Sequence, residues 1–220
     1  MRQIFFWRCL IGMLSAVILT GCGFNESLVQ SGRAAAAGDV LFEDDFAQVA
    51  NTWGVWDRSG GDVRYEQGGL RIYVKAENQE FWSVAGQRFR DVILEGDARR
   101  IGGPADNIFG LICRYQDAQN FYAFLASSDG YYGIAKRENG QHSLIGAEQL
   151  QYSGMIDPDQ LSHHLRAECN ENTLRFWIDG VALFETRDST FETGDVGLLA
   201  GTYSKPGVDI LFDNFRVKQP

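Results

Sequence analysis

Histidine is scarce in this chain: His142, His163 and His164 are all there are. The last two are adjacent, so on a strand they leave on opposite faces and cannot chelate one ion together. The sequence has no Gly-x-Ser-x-Gly elbow, no His-Glu-x-x-His pair and no glycine-rich phosphate loop. Those absences exclude the common serine-hydrolase, zinc-protease and nucleotide-binding classes. Positive charge is also in short supply, with 20 basic against 29 acidic residues and a net charge of −9. An acidic surface argues against nucleic acid and anionic lipid as partners, though solubility alone accounts for it as well. Past the N-terminus there is no second apolar run of membrane-spanning length.

What is present begins with an address. Arg2 and Arg8 form a short positive region, and residues 9–20 an apolar stretch too short to span a bilayer comfortably. It ends in Leu19-Thr20-Gly21-Cys22, which resembles a bacterial lipobox. That resemblance implies that residues 1–21 are a signal peptide and that Cys22 carries a diacylglyceryl thioether. Each acyl chain adds about 0.8 kcal/mol per buried methylene, so two or three chains anchor stably. The alternative is an ordinary secretory signal or an N-terminal membrane helix, with Cys22 incidental. Residues 22–38 are small and polar and read as a tether for a domain over 39–220, facing the extracytoplasmic side of the cell membrane.

Four cysteines divide by position: Cys9 leaves with the signal, Cys22 takes lipid, and Cys113 and Cys169 remain as an even pair in an oxidising compartment. Alternation places Phe109, Leu111, Cys113 and Tyr115 on one face of their strand, and Leu165, Ala167 and Cys169 on one face of theirs. Both thiols point to an apolar side, so a disulfide is expected. Two free buried cysteines are the alternative.

The densest strand signal is 107–140, where apolar and aromatic runs are broken at 116–120, at Ser128-Asp129-Gly130 and at Glu138-Asn139-Gly140. Asp-Gly and Asn-Gly between such runs are strong hairpin signals, so the stretch reads as a three-stranded meander. Further strands are expected at 40–46, 63–66, 70–75, 81–84, 89–97, 143–147, 161–169, 173–178, 181–186, 195–203 and 208–217. No segment requires a helix. Two stacked antiparallel sheets bury so many half-apolar strands economically, so the expected fold is an all-β sandwich of jelly-roll type.

A family resemblance rests on particular motifs. They are Phe42-x-Asp44-Asp45-Phe46, Gly68-Gly69-Leu70-Arg71-Ile72, Asn120-Phe121-Tyr122, Phe176-Trp177-Ile178-Asp179-Gly180 and Phe212-Asp213-Asn214-Phe215. Over residues 40–218 the chain resembles the concanavalin A-like, laminin-G-like jelly rolls of bacterial surface proteins, nearest the domains named after 3-keto-disaccharide hydrolases. That superfamily mixes lectins, adhesion modules, glycosidases and spacers, so it implies a fold more than an activity. It also implies that the first and last strands lie side by side. Asp44 or Asp45 would then come near Asp213 as a candidate structural Ca²⁺ site, with turn hydrogen bonds as the alternative use of these carboxylates.

For catalysis the tempting segment is Glu95-Gly96-Asp97-Ala98-Arg99-Arg100, which starts like the carboxylate strand of laminarinase-like glycosidases. Its acid/base position is an arginine, which cannot do that work at neutral pH. No catalytic residues are expected. For binding, Arg114, Arg175 and Trp177 fall on the polar side of their strands, and Tyr122 with Tyr131 or Tyr132 can neighbour Arg114 across the hairpins. Aromatic faces stack on sugar rings while Arg and Tyr donate to hydroxyls; the alternative is that these aromatics fill the space between sheets. The expectation is a non-catalytic module for a polysaccharide or other glycan. The alternatives are an adhesive protein with surface-protein partners and a sugar-active hydrolase. If the first holds, Arg114, Tyr122 and Trp177 converge in an open groove.

Overall fold

The computed structural model describes residues 34–50 and 52–220. The signal, Cys22 and most of the tether therefore lie outside the described residues. The described residues form sixteen strands: β1 Val40–Asp44, β2 Trp56–Arg58, β3 Gly61–Glu66, β4 Gly69–Val74, β5 Glu80–Phe89, β6 Val92–Gly102, β7 Asn107–Asp117 and β8 Asn120–Ala126, then β9 Tyr131–Glu138, β10 Gln141–Leu144, β11 Gln151–Tyr152, β12 Ser162–Asn170, β13 Thr173–Ile178, β14 Val181–Arg187, β15 Gly194–Thr202 and β16 Val208–Lys218. Among the described residues no helix is long and apolar enough to cross a membrane.

The strands form two antiparallel sheets. The first runs β14-β13-β12-β6-β16-β4-β3-β2 with β1 added to β16; the second runs β10-β9-β8-β7-β15-β5 with β11 added to β9. Period-two alternation decides the layering, because each strand turns one parity inward. Leu94, Leu165, Phe176 and Phe212 of the first sheet pack in one core with Leu111, Phe124, Ile134 and Leu198 of the second. Cys113 on β7 is bonded to Cys169 on β12, Cα atoms 6.8 Å apart, which ties the two sheets together. The jelly-roll expectation and the disulfide are both realised.

Two local readings need correction. The stretch 89–97 is not one strand: the chain breaks at Arg90-Asp91 and passes from the second sheet (β5) to the first (β6). Asp91 pins that corner by accepting from the Glu171 backbone N–H at 2.7 Å. Tyr115 does not share the Cys113 face. A bulge sets Cys113 and Arg114 opposite Val196 alone, with Arg114 at φ +52°. The extra residue reverses the alternation, so Tyr115 packs outward, its ring 5.6 Å from Phe121.

The outer face of the second sheet is unusual for a face with no third layer among the described residues. Ile108, Ile112, Phe121, Ala123, Leu125, Ala135 and Leu199 form a second apolar cluster there, all nearly buried. Glycine keeps this floor low. A Cβ on Gly133 would lie 2.9 Å from a Leu150 methyl, and one on Gly201 would lie 2.8 Å from Ile108.

Candidate functional site

Glu80 on β5 and His142 on β10 belong to the opposite edge strands of the second sheet's six-strand path. Laid flat, five inter-strand steps would separate those edges by about 24 Å. Glu80 Oε2 and His142 Nε2 are nevertheless 3.3 Å apart. Two such side chains reach only about 10 Å between them, so the sheet must curl and its outer face is concave.

A second bridge crosses the same hollow. The Arg137 guanidinium of β9 lies 5.2 Å from the Trp82 ring of β5 and 6.0 Å from Phe121. Together these side chains close over the apolar floor and leave a cavity of only about 10 Å³ beneath them. Glu80 is half-buried in this clasp. Burial pushes its carboxyl above the usual range, against the opposing pull of His142 and Arg137.

Beside the clasp the concave face opens into two adjoining clefts. One, of about 480 Å³, is lined by Asn78, Gln79, Glu80, Trp82, Arg137, His142 and Tyr203 among others. The other, of about 540 Å³, is lined by Asp106, Ser127, Asp129, Tyr131, Gln149, Leu150 and Tyr203. Tyr203 therefore forms part of both. Its hydroxyl is pushed up to about 12 by burial and then by the carboxylates of Glu80, Asp106 and Asp129. The floor of the second cleft is held by Asn107, which donates to Pro104 O at 2.7 Å and Ser128 Oγ at 3.0 Å and accepts from the Ser128 N–H. On the far wall the Tyr131 and Tyr152 rings meet edge to face at 5.5 Å.

The sequence-predicted ligand residues do not converge. Arg114 is buried, because the bulge swings it off the outer face. Its guanidinium donates to Phe191 O at 2.8 Å, Glu171 O at 2.7 Å and Arg90 O at 3.2 Å, and pairs with Asp91 at 3.1 Å. Tyr122 is fully buried in the core, donating to Asp188 and accepting from the Phe191 N–H. Arg175 and Trp177 lie on the outer face of the other sheet. There Arg175 bridges Glu185 and Glu168, and Trp177 lies under Arg166. Tyr132 turns inward against Phe184. Of the six, only Tyr131 reaches the clefts, so the groove expected around Arg114, Tyr122 and Trp177 is not there.

The other two constellations are likewise placed. Glu95 and Asp97 project from the outer face of the first sheet, away from the clefts. Burial works to raise the Glu95 carboxyl, but Lys218 and then Arg166 hold it below the usual range. A group so held is a poor proton donor. Strand β1 does pair with β16, Asp44 opposite Phe215. Asp44 accepts from the Phe46 N–H and Trp53 Nε1, Asp45 from the Ala47 N–H, and Asp213 from the Asn214 N–H. Among the described residues no three acidic, histidine or cysteine side chains are grouped as a metal site would need.

Trp82, Arg137, Tyr203, Glu80, Asp106 and Asp129 were all missed from the sequence. One signal was available: residues 121–126 are apolar at both parities. Such a run announces that the face away from the core is also covered.

No protein-family model matches the chain, and no curated protein matches it significantly. Solved structures do. A carbohydrate binding module, CBM66 from Bacillus subtilis, superposes with a TM-score of 0.62 at 20% identity, covering 76% of this chain and 96% of that one. A Bacillus subtilis protein of unknown function with a galectin-like fold gives 0.60 at 16%, covering 84% and 98%. A Bacillus licheniformis beta-glucanase gives 0.57 at 12%, covering 81% and 98%. The fold is shared with carbohydrate-binding modules and glycosidases alike.

Proposed function

We propose that this protein is a carbohydrate-binding surface module, lipid-anchored through Cys22 on the extracytoplasmic side of the cell membrane, and that it takes glycan in the paired clefts of its concave sheet. The observation that carries the reading is Tyr203, shared by two clefts of about 540 and 480 Å³, with Tyr131 on one side and Trp82 on the other. Those volumes suit small ligands, and spaced aromatic faces suit successive sugar rings. Asn78, Gln79, Gln149 and Arg137 offer the amide and guanidinium groups that hydroxyls need. The likeness in fold to the carbohydrate binding module CBM66 supports the same reading. The lipobox-like Leu19-Thr20-Gly21-Cys22 supports the anchor, and the Cys113–Cys169 bond fits an oxidising compartment.

A glycan array probed with the purified protein tests the binding reading. Selective hits that weaken on Tyr203→Ala support it, and a blank array across polysaccharides overturns it. Metabolic labelling with an alkyne fatty acid tests the anchor: label lost on Cys22→Ser supports it, and label that persists does not.

A further inference from the structure

We infer that the glycan bound here carries free, protonated amino groups, and that the cleft between Tyr131 and Tyr203 is the seat of an amino sugar. This rests on the carbohydrate reading above and names its ligand class.

Two carboxylates of this cleft have no cationic partner among the described residues. Asp106 and Asp129 are half-buried in the walls of the 540 Å³ cleft. Among the described residues neither takes part in an ion pair, whereas Asp62, Glu95, Asp188 and Asp209 elsewhere all do. Asp129 is touched by Ser127 Oγ, a neutral donor. No lysine, arginine or histidine lines this cleft. The basic side chains of the concave face are engaged next door, His142 against Glu80 and Arg137 across Trp82. The two carboxylates face one space of ligand size, and a cation placed there would be attracted by both.

The walls narrow the choice of cation. Tyr131 and Tyr203 line the cleft, and an aromatic ring attracts an ammonium and also stacks on a pyranose. A ring bearing an ammonium satisfies both features at once, as a glucosamine unit does. Its N-acetylated counterpart is neutral and would leave Asp106 and Asp129 facing an amide. The high Tyr203 pKa is set first by burial, and the carboxylates of Glu80, Asp106 and Asp129 add to it.

Isothermal titration with three hexamers decides the matter: β-1,4-glucosamine, its fully N-acetylated form, and neutral cellohexaose. The glucosamine hexamer should bind at least tenfold more tightly than the other two, and the advantage should shrink as salt screens the contact. The preference should vanish in Asp106→Asn/Asp129→Asn. It should survive in Glu43→Gln/Glu192→Gln, which removes the same charge from exposed positions elsewhere. If the double cleft variant melts early, Asp106→Asn alone repeats the test, since no other described side chain holds it. Equal affinity for charged and neutral hexamers overturns the amine inference and leaves the carbohydrate reading standing. Equal loss in the exposed-charge control, or equally tight binding of a linear polyamine, overturns it as diffuse attraction. Binding to none of the hexamers overturns it too, and with a blank array removes the carbohydrate reading as well.

Discussion

His142 and Glu80 sit on the outermost strands of one sheet path and still touch, 3.3 Å apart. The walls of the concave site are therefore supplied by the two ends of the sheet, while its middle strands contribute floor. Side chains far apart in the chain and on the sheet become neighbours because the sheet curls.

Tyr203 is the residue common to both clefts, so its ring should matter more than its hydroxyl. Tyr203→Ala should weaken glycan binding about tenfold, near the 1.4 kcal/mol that one stacked ring supplies. Tyr203→Phe should retain most of the affinity. Titration calorimetry with the best array hit checks both, and a Phe variant as weak as Ala would move the interaction to the hydroxyl.

Arg114 is a structural residue by its contacts. Arg114→Ala takes the cation from Asp91 and the donor from the carbonyls of Phe191 and Glu171, which should cost roughly 2–4 kcal/mol. Urea melts read this directly. Well below the melting range the variant should bind glycan as the parent does.

The Cys113–Cys169 bond closes a loop of 56 residues, worth about 4 kcal/mol in the chain-entropy model. Cys113→Ala/Cys169→Ala should lower the melting temperature by on the order of 10 °C. A reducing agent should do the same to the parent and nothing to the variant.

Acid should act through Asp188. Burial works to raise this carboxyl, but hydrogen bonds from Thr190, Tyr122 and Lys136 hold it at about 2, against an ordinary 3.8. A lowered folded value means stability that is full above pH 3.8 and lost as the pH falls toward 2. Discounted for solvent screening, the contribution is roughly 1–2 kcal/mol. Asp195 works the other way, raised by burial, so its contribution is present at low pH and lost as the pH rises. Asp188→Asn should therefore be less stable at neutral pH and show a flatter acid limb in denaturation curves.

Fold and disulfide were legible because they follow from local rules. Alternation put Cys113 and Cys169 inward, and Asp-Gly and Asn-Gly marked the hairpins. The site was not, because two of its causes are non-local. One bulged residue, Arg114, reverses the alternation of β7, and that reversal depends on β15 lying alongside. The curl that brings Glu80 to His142 depends on all six strands at once. Residues such as Trp82 and Tyr203 look like ordinary strand aromatics until that curvature is known. Tyr131 enters through the pair Tyr131 or Tyr132, read as neighbours of Arg114; adjacent strand residues leave on opposite faces, so one of the two had to point outward.

The chain enters and leaves the domain at one place, where the Gly38 N–H donates to Gln219 O and β1 lies along β16. Those strands belong to the first sheet, whereas the concave face belongs to the second. On the proposed reading, a cell surface holding the protein through Cys22 while a polymer pulls on the clefts would load the domain in shear between its layers. The Cys113–Cys169 bond crosses that plane. Under tension it would act as a rivet, keeping the sheets from sliding and the bound chain from being shed.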